Sequence, residues 1–350
     1  MGCCFSCSQV KRDAAYLRTV PALDGCAPGV RSGVVDIRHS PETLKACEDG
    51  QGSLADVSVT MAYKTTFDPV KSDPGLHIVL IHGTGLLQET YWWSRESLLR
   101  AGEEAMANHL SPQQDTKSIA DILIKGGASV TTFSLRGHGT SQVTASPWTT
   151  KLLGADVAEA FKAVFPGQRA HFHGHSLGFG AALSVAFNYG EIVRSVSGGG
   201  FLANRERIAD FKAWFFSRQP VVRAIGMRGM GTAGDLVLKL KPKGSMSNHF
   251  QYTSIDGFQR ASASWLHFNE GEKLKTLQAP LLWLAPVLDH LAGVKLKDVQ
   301  AEFDQVPHEK KRLVVFDATG KEDHIHPLLD PEDYFGKHLM DFVKEYGSSV

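Results

Sequence analysis

Beyond Cys47 the sequence holds no cysteine; all five (Cys3, Cys4, Cys7, Cys26 and Cys47) fall in the first 47 residues. A disulfide-stapled core is thereby excluded for the rest of the chain, which must hold together by packing, as suits a reducing compartment. There is no charge surplus either: 37 Lys and Arg face 37 Asp and Glu. A nucleic-acid partner is excluded on that balance, because binding to phosphates calls for a basic excess. No apolar run approaches the roughly 18 residues that a membrane-spanning helix needs, and the N-terminus lacks the long apolar stretch of a secretory signal. No internal repeat or low-complexity segment occurs. What is left is a globular composition, 43% hydrophobic and 21% charged. The 350 residues accommodate one large α/β domain with a cap.

The first residues have a chemistry of their own. Met1-Gly2-Cys3-Cys4-Phe5-Ser6-Cys7 fits the M-G-x-x-x-[ST] pattern for N-myristoylation at Gly2, with Ser6 in the required place. One myristoyl chain binds membranes only reversibly, so a second signal is needed. Cys3, Cys4 and Cys7 are candidate palmitoylation sites, and Lys11, Arg12 and Arg18 would add attraction to anionic lipid. The bland alternatives are a plain tail or a weak metal-binding cluster. The expectation is a lipid-anchored protein on the cytoplasmic face of a eukaryotic membrane, with residues 1–30 as anchor and linker.

From there the chain alternates between short extended runs and helical stretches. Asp56–Thr66 alternates apolar residues and reads as a strand, and His77–Ile81 as a buried parallel one ending at His82-Gly83-Thr84-Gly85. Ile119–Lys125 is helical, and Ser129–Leu135 is a strand running into Arg136-Gly137-His138-Gly139. A helix at Val157–Val164, a strand at Ala170–Gly174 and a small-residue helix through Asn188 follow. Ile192–Val196, Leu281–Leu284 and Arg312–Phe316 complete the strand series. That rhythm predicts an α/β fold: a mostly parallel central sheet flanked by helices. Between about residues 200 and 277 the rhythm breaks into helical patterns carrying Trp214, Phe215, Met227 and Trp265, a cap inserted into a domain spanning 31–350.

Gly174-His175-Ser176-Leu177-Gly178 is a G-x-S-x-G nucleophile elbow, and its context is right, with a strand before it and a helix after. The strand must turn into a helix within a few residues, so Ser176 takes a strained backbone and its hydroxyl stands at the positive helix N-terminus. Side chains at the two glycines would clash with neighbouring elements.

With this elbow in place, the sequence over about residues 56–345 resembles the α/β-hydrolase family. His82-Gly83 after a strand resembles the family's oxyanion loop. The resemblance implies that the backbone N–H groups of Thr84 and Leu177 form the oxyanion hole. The family order is nucleophile, acid, histidine. Pro280-Leu281-Leu282-Trp283-Leu284 resembles its penultimate strand, and the family's spacing from that proline selects Asp289 as the acid. Asp323-His324-Ile325-His326-Pro327, followed by Pro331, resembles its histidine loop and selects His324 as the base. Two positions depart from the family pattern: Pro286 and Asp323 stand where it has glycine, so His326 and Glu322 stay open as alternatives.

Other candidates read as structure. His171, His173 and His175 alternate along a buried strand with no carboxylate at matching spacing, so core packing is expected rather than a metal. Tyr91, Trp92 and Trp93 suit either an acyl pocket or packing beneath a polar insertion at about 95–116. Gly198-Gly199-Gly200 lacks the spacing of a dinucleotide fingerprint, and no cofactor or metal is implied. The expected function is a serine hydrolase cleaving carboxylic esters of lipids or small acyl compounds, protein thioesters among them by analogy. The alternatives are amide or carbon–carbon bond hydrolysis, and a non-catalytic receptor or scaffold on the same fold.

Overall fold

The computed structural model describes residues 29–49, 53–55, 57–94, 96, 117–144, 147–204, 253–289, 292–316, 324 and 326–347. Strand β3 (His77–Ile81) is buried along its whole length, and its side chains divide between two cores. Ile78 and Leu80 enter one hydrophobic cluster, Val79 and Ile81 the other. The same split recurs in β7 (Leu281–Pro286), where Leu282 and Leu284 join the first and Trp283 and Ala285 the second. A period of two with both faces apolar is what a sheet covered on both sides requires.

Among the described residues that sheet has eight strands, in the order β1-β2-β4-β3-β5-β6-β7-β10. Strands β2 (Ser58–Thr65), β4 (Ser129–Phe133), β5 (Ala170–His175), β6 (Val193–Gly199) and β10 (Lys311–Phe316) lie at or within a few residues of the sequence expectations. Strand β1 (Arg31–Arg38) was not expected; it pairs antiparallel with β2 at the sheet edge. Its burial is patchy, only Ile37 being fully buried, so its sequence carries little strand signal. β2 is also antiparallel to β4, and the remaining pairings are parallel. A two-stranded hairpin, β8 (Leu288–Asp289) and β9 (Val294–Lys295), follows β7.

Among the described residues the α-helices are α1 (Pro41–Cys47), α2 (Ile119–Lys125), α3 (Thr150–Val164), α4 (Leu177–Asn188), α5 (Ile255–Ser264), α6 (Leu296–Phe303), α7 (His326–Leu329) and α8 (Met340–Gly347). Their starts follow local chemistry. Ser118 and Asp121 form a reciprocal capping box at α2, and Thr149 accepts the Leu152 N–H at α3. Helices α3, α4 and α6 contribute to one core; α2 and α8 contribute to the other.

Of the expected cap, residues 205–252 lie outside the described residues, as do nearly all of 95–116 and the N-terminal Gly2, Cys3, Cys4 and Cys7. Among the described residues no helix is long and apolar enough to cross a membrane.

Candidate active site

The elbow shows in the backbone. Ser176 has φ 54° and ψ −125°, and among the described residues it is the one non-glycine with positive φ. Such a conformation costs about 1–3 kcal/mol and persists where surrounding structure over-determines it. Here the surroundings are backbone. A methyl group on Gly174 would lie 2.1 Å from the Gly178 carbonyl oxygen, and one on Gly178 would lie 2.1 Å from that of Ile81. The Ser176 N–H is fixed as well, donating to Gly199 O at 2.8 Å.

Ser176 follows β5 directly and is the N-cap of α4, so the Leu177 N–H, first of that helix's first turn, lies beside it. Across from it runs the His82-Gly83-Thr84-Gly85 loop. A methyl on Gly83 would sit 3.1 Å from both the Ser176 Cβ and the His175 carbonyl oxygen, so the loop's backbone abuts the serine. Thr84 Oγ1 is buried without a hydrogen-bond partner among the described residues.

The loop is held by bonds that the sequence pattern alone did not disclose. His82 donates from Nδ1 to Gly83 O at 2.8 Å, leaving Nε2 to accept the Leu135 N–H at 3.0 Å. His138 donates from Nδ1 to Arg136 O at 3.0 Å, and its Nε2 accepts the Gly85 N–H at 3.2 Å. Thr253 Oγ1 donates to Gly85 O at 3.2 Å. Behind His138, Arg136 is fully buried and grips both oxygens of Asp156 on α3 with two bonds of 2.5 Å; His39 adds a third at 2.7 Å. Burial would raise the Asp156 carboxyl, but the Arg136 charge and these bonds outweigh it, and the group sits below the usual carboxylate range. The R-G-H-G segment therefore works as a brace running from a helix core to the His82–Gly85 loop.

Asp289 lies on the short β8 strand and is fully buried. Its Oδ1 accepts the Ala292 N–H at 2.7 Å, and its Oδ2 accepts the His324 Nδ1–H at 2.6 Å. Burial pushes the carboxyl up, but the adjacent His324 and these bonds more than offset it, so Asp289 stays ionised with a lowered pKa. The Pro286 departure is absorbed by a hairpin: β7 ends at Pro286, and Val287 N–H bonds Phe316 O as the chain turns into β8.

His324 is 6% exposed. Gly200, at φ +73°, makes room for its ring: a methyl there would lie 2.8 Å from His324 Cε1, 3.1 Å from Nδ1 and 3.5 Å from the Ser176 Cα. One methyl-sized point thus touches both the imidazole and the serine backbone. On another side the His175 ring lies 4.9 Å from the His324 ring, centroid to centroid. Burial, and then His324, push His175 well below the usual histidine range, so it is neutral. Sequence reasoning singled out Gly198-Gly199-Gly200 and His175 but gave neither a part in the site. The signal was the glycine run itself, three residues without side chains at the end of β6.

The structure brings Ser176, His324, Asp289, Leu177 and Thr84 to one edge of the sheet. Glu322 lies outside the described residues, and of His326 only its position at the start of α7 is described. His171 and His173 share bonds with Ser195 and Ser197 across β6 at 2.7 and 2.9 Å. Among the described residues no group of three or more His, Cys, Asp or Glu could hold a metal ion. Tyr91 and Trp92 are core residues, bonded to Ile81 O and Thr132 Oγ1.

This geometry has wide structural company. An esterase from Thermogutta terrifontis superimposes with a TM-score of 0.62 at 16% identity, covering 90% of this chain and 100% of that one. A carboxylesterase structure from Nitrososphaera gargenis gives 0.64 at 18%, covering 85% and 99%. A bacterial membrane phospholipase A described as a virulence factor gives 0.60 at 15%, covering 92% and 88%. Such identities speak for the fold and not for the substrate. No curated protein matches the sequence. The profile of the alpha/beta hydrolase family, however, matches residues 78–336, well over half of the chain and the span that carries Ser176, Asp289 and His324. The chain belongs to the alpha/beta hydrolase family.

Proposed function

We propose that the protein is a serine hydrolase acting on carboxylic esters, with Ser176 as nucleophile, His324 as base and Asp289 as acid. The observation that carries this reading is the arrangement around Gly200: a strained serine and a carboxylate-held imidazole meeting at one point. Because Asp289 accepts the Nδ1 proton, the neutral imidazole keeps its lone pair on Nε2, the tautomer a base requires. A serine hydroxyl is a weak nucleophile at neutral pH, and His324 takes its proton as Oγ attacks the ester carbonyl. The tetrahedral oxyanion is met by the N–H groups of Leu177 and Thr84, each worth about 3–4 kcal/mol in the transition state. His324 then protonates the leaving alkoxide, and water activated by the same imidazole releases the acid from Ser176.

The N-terminal pattern supports a membrane location through myristate on Gly2 and palmitate on Cys3, Cys4 and Cys7, which would hold the enzyme near lipid and other acyl substrates. Two assays test the reading. Ser176→Ala and His324→Ala each lower ester turnover by several orders of magnitude, with the fold intact, while His326→Ala does far less. A folded Ser176→Ala protein retaining near wild-type turnover overturns the proposal. For location, Gly2→Ala moves the protein to the soluble fraction of expressing cells without changing turnover of a soluble short-chain ester. Retention on membranes equal to wild type removes the acyl anchor from the account.

A further inference from the structure

The sheet carries a concave site at the end opposite Ser176. Ser176, Asp289 and His324 follow the C-terminal ends of β5, β7 and β10. At the opposite ends of the same strands lies a cleft of about 550 Å³, lined by Arg169 just before β5, Arg194 in β6 and Lys310 just before β10, with Lys273 across from them. Strands of about six residues put the two sites roughly 20 Å apart. The whole chain has no net charge, so this concentration of cations is local. None of the described residues lining the cleft is acidic. Lys273 is balanced by Glu270 at 2.6 Å, but Arg169, Arg194 and Lys310 meet no carboxylate within the lining.

The two guanidinium groups are also fixed in place. Arg169 Nη2 donates to Val193 O at 2.8 Å, and Arg194 Nη1 donates to Gly347 O at 3.1 Å. Each is tied through one nitrogen to a backbone carbonyl, which neutralises no charge and leaves other donors of the fork without a hydrogen bond among the described residues. Arg194 Nε is buried and has no hydrogen-bond partner among the described residues. Burial, and then the neighbouring Arg169, push the Arg194 guanidinium below its ordinary range, more than Asp73 restores. Two like charges held side by side by main-chain tethers, with a buried donor unmet, form a site short of an anion.

We infer that this cleft binds a phosphate group, with Arg169 and Arg194 as the forked donors and Lys310 as a point charge. Phosphate fits because its oxygens accept from guanidinium forks in pairs, and the volume has room for the organic part of a phosphate ester. The chemistry is shared by a soluble phosphate ester and a phospholipid headgroup. Binding here leaves the hydrolytic residues untouched.

The test uses the full-length protein produced without acylation. Calorimetric titration with inorganic phosphate and with glycerol 3-phosphate gives saturable binding at one site, weakening as ionic strength rises. Arg169→Gln and Lys310→Glu each weaken it about tenfold or more, the loss expected for a charge-assisted contact. Lys310→Gln, at an exposed position, weakens it less and guards against a folding defect in the others. Ester turnover is unchanged in all three. Sedimentation with phosphatidylcholine vesicles, with and without one part in five of phosphatidic acid, separates the sources. Binding that needs phosphatidic acid and is lost in Lys310→Glu assigns a headgroup; phosphate binding without vesicle binding assigns a soluble ester. Absence of saturable phosphate binding, or equal affinity in wild type and the charge variants, overturns the inference.

Discussion

Replacing Gly200 by alanine tests the seating of His324 more sharply than removing the histidine, because it adds one methyl group and subtracts nothing. Two effects combine. At φ +73° an L-residue pays about 1–2 kcal/mol for its backbone conformation. In addition, the new methyl would lie 2.8 Å from His324 Cε1 and 3.1 Å from Nδ1, closer than carbon contacts tolerate, so the ring must retreat by roughly half an ångström. A displacement of that size in a reacting group lowers kcat/KM by about 10–100-fold. The backbone effect is isolated by a control elsewhere in the same chain. Gly167 has φ +74°, and a methyl there meets nothing within 4 Å. Gly167→Ala therefore loses similar stability, a drop in Tm of a few °C, and keeps full activity. Both variants are assayed for kcat/KM on a p-nitrophenyl ester and for Tm by calorimetry. If Gly200→Ala is as active as Gly167→Ala, the His324 ring does not stand against Gly200 and the geometry of the base is wrong.

Three further outcomes follow from the same contacts. Asp289→Asn still occupies the site but no longer favours the Nδ1–H tautomer, so kcat falls by about 10⁴ in steady-state assays; a loss under tenfold would assign the acid elsewhere. His138→Ala frees the Gly85 N–H and loosens the oxyanion loop, lowering kcat about 10–100-fold with KM nearly unchanged, whereas a pure KM effect would contradict the bracing role. Buried histidines set the acid limit of stability. Burial pushes His77 and His173 down to about 3, and His138 and His171 to about 4. Folded pKa values below the unfolded value near 6.5 mean that the unfolded chain binds more protons, so stability is full above about pH 6.5 and declines below it. Each histidine contributes about 1.4 kcal/mol per pH unit through that window. Denaturant titrations between pH 7 and 5 should therefore show the uptake of more than one proton on unfolding, and pH-independent stability across this range would refute it.

The elbow and the strand series were legible because their signals are local. G-x-S-x-G needs two glycines within five residues, and their necessity is visible in the 2.1 Å approaches at Gly174 and Gly178. β3, after its first residue His77, and β7 announce themselves as short apolar runs because both of their faces are buried. β1 was missed for the opposite reason: an edge strand with exposed Val34 and half-buried neighbours has no pattern to read. The braces of the site were illegible because they join residues far apart in sequence. His138 meets Gly85 from 53 positions away, and Thr253 meets it from 168. Nothing in Arg136-Gly137-His138-Gly139 says which loop its imidazole will hold. Gly200 is a similar case, since a glycine marks a place where something comes close without naming what comes.

The central claim is that Ser176 forms a covalent acyl intermediate with His324 as its base, and a covalent probe reports on it directly. The full-length protein is treated with a fluorophosphonate, digested, and its peptides mapped by mass spectrometry, beside Ser176→Ala and His324→Ala. The account predicts one adduct, on the peptide carrying Ser176, absent from Ser176→Ala and slowed by several orders of magnitude in His324→Ala. An adduct on another residue, or no adduct from a protein that hydrolyses esters, would contradict it.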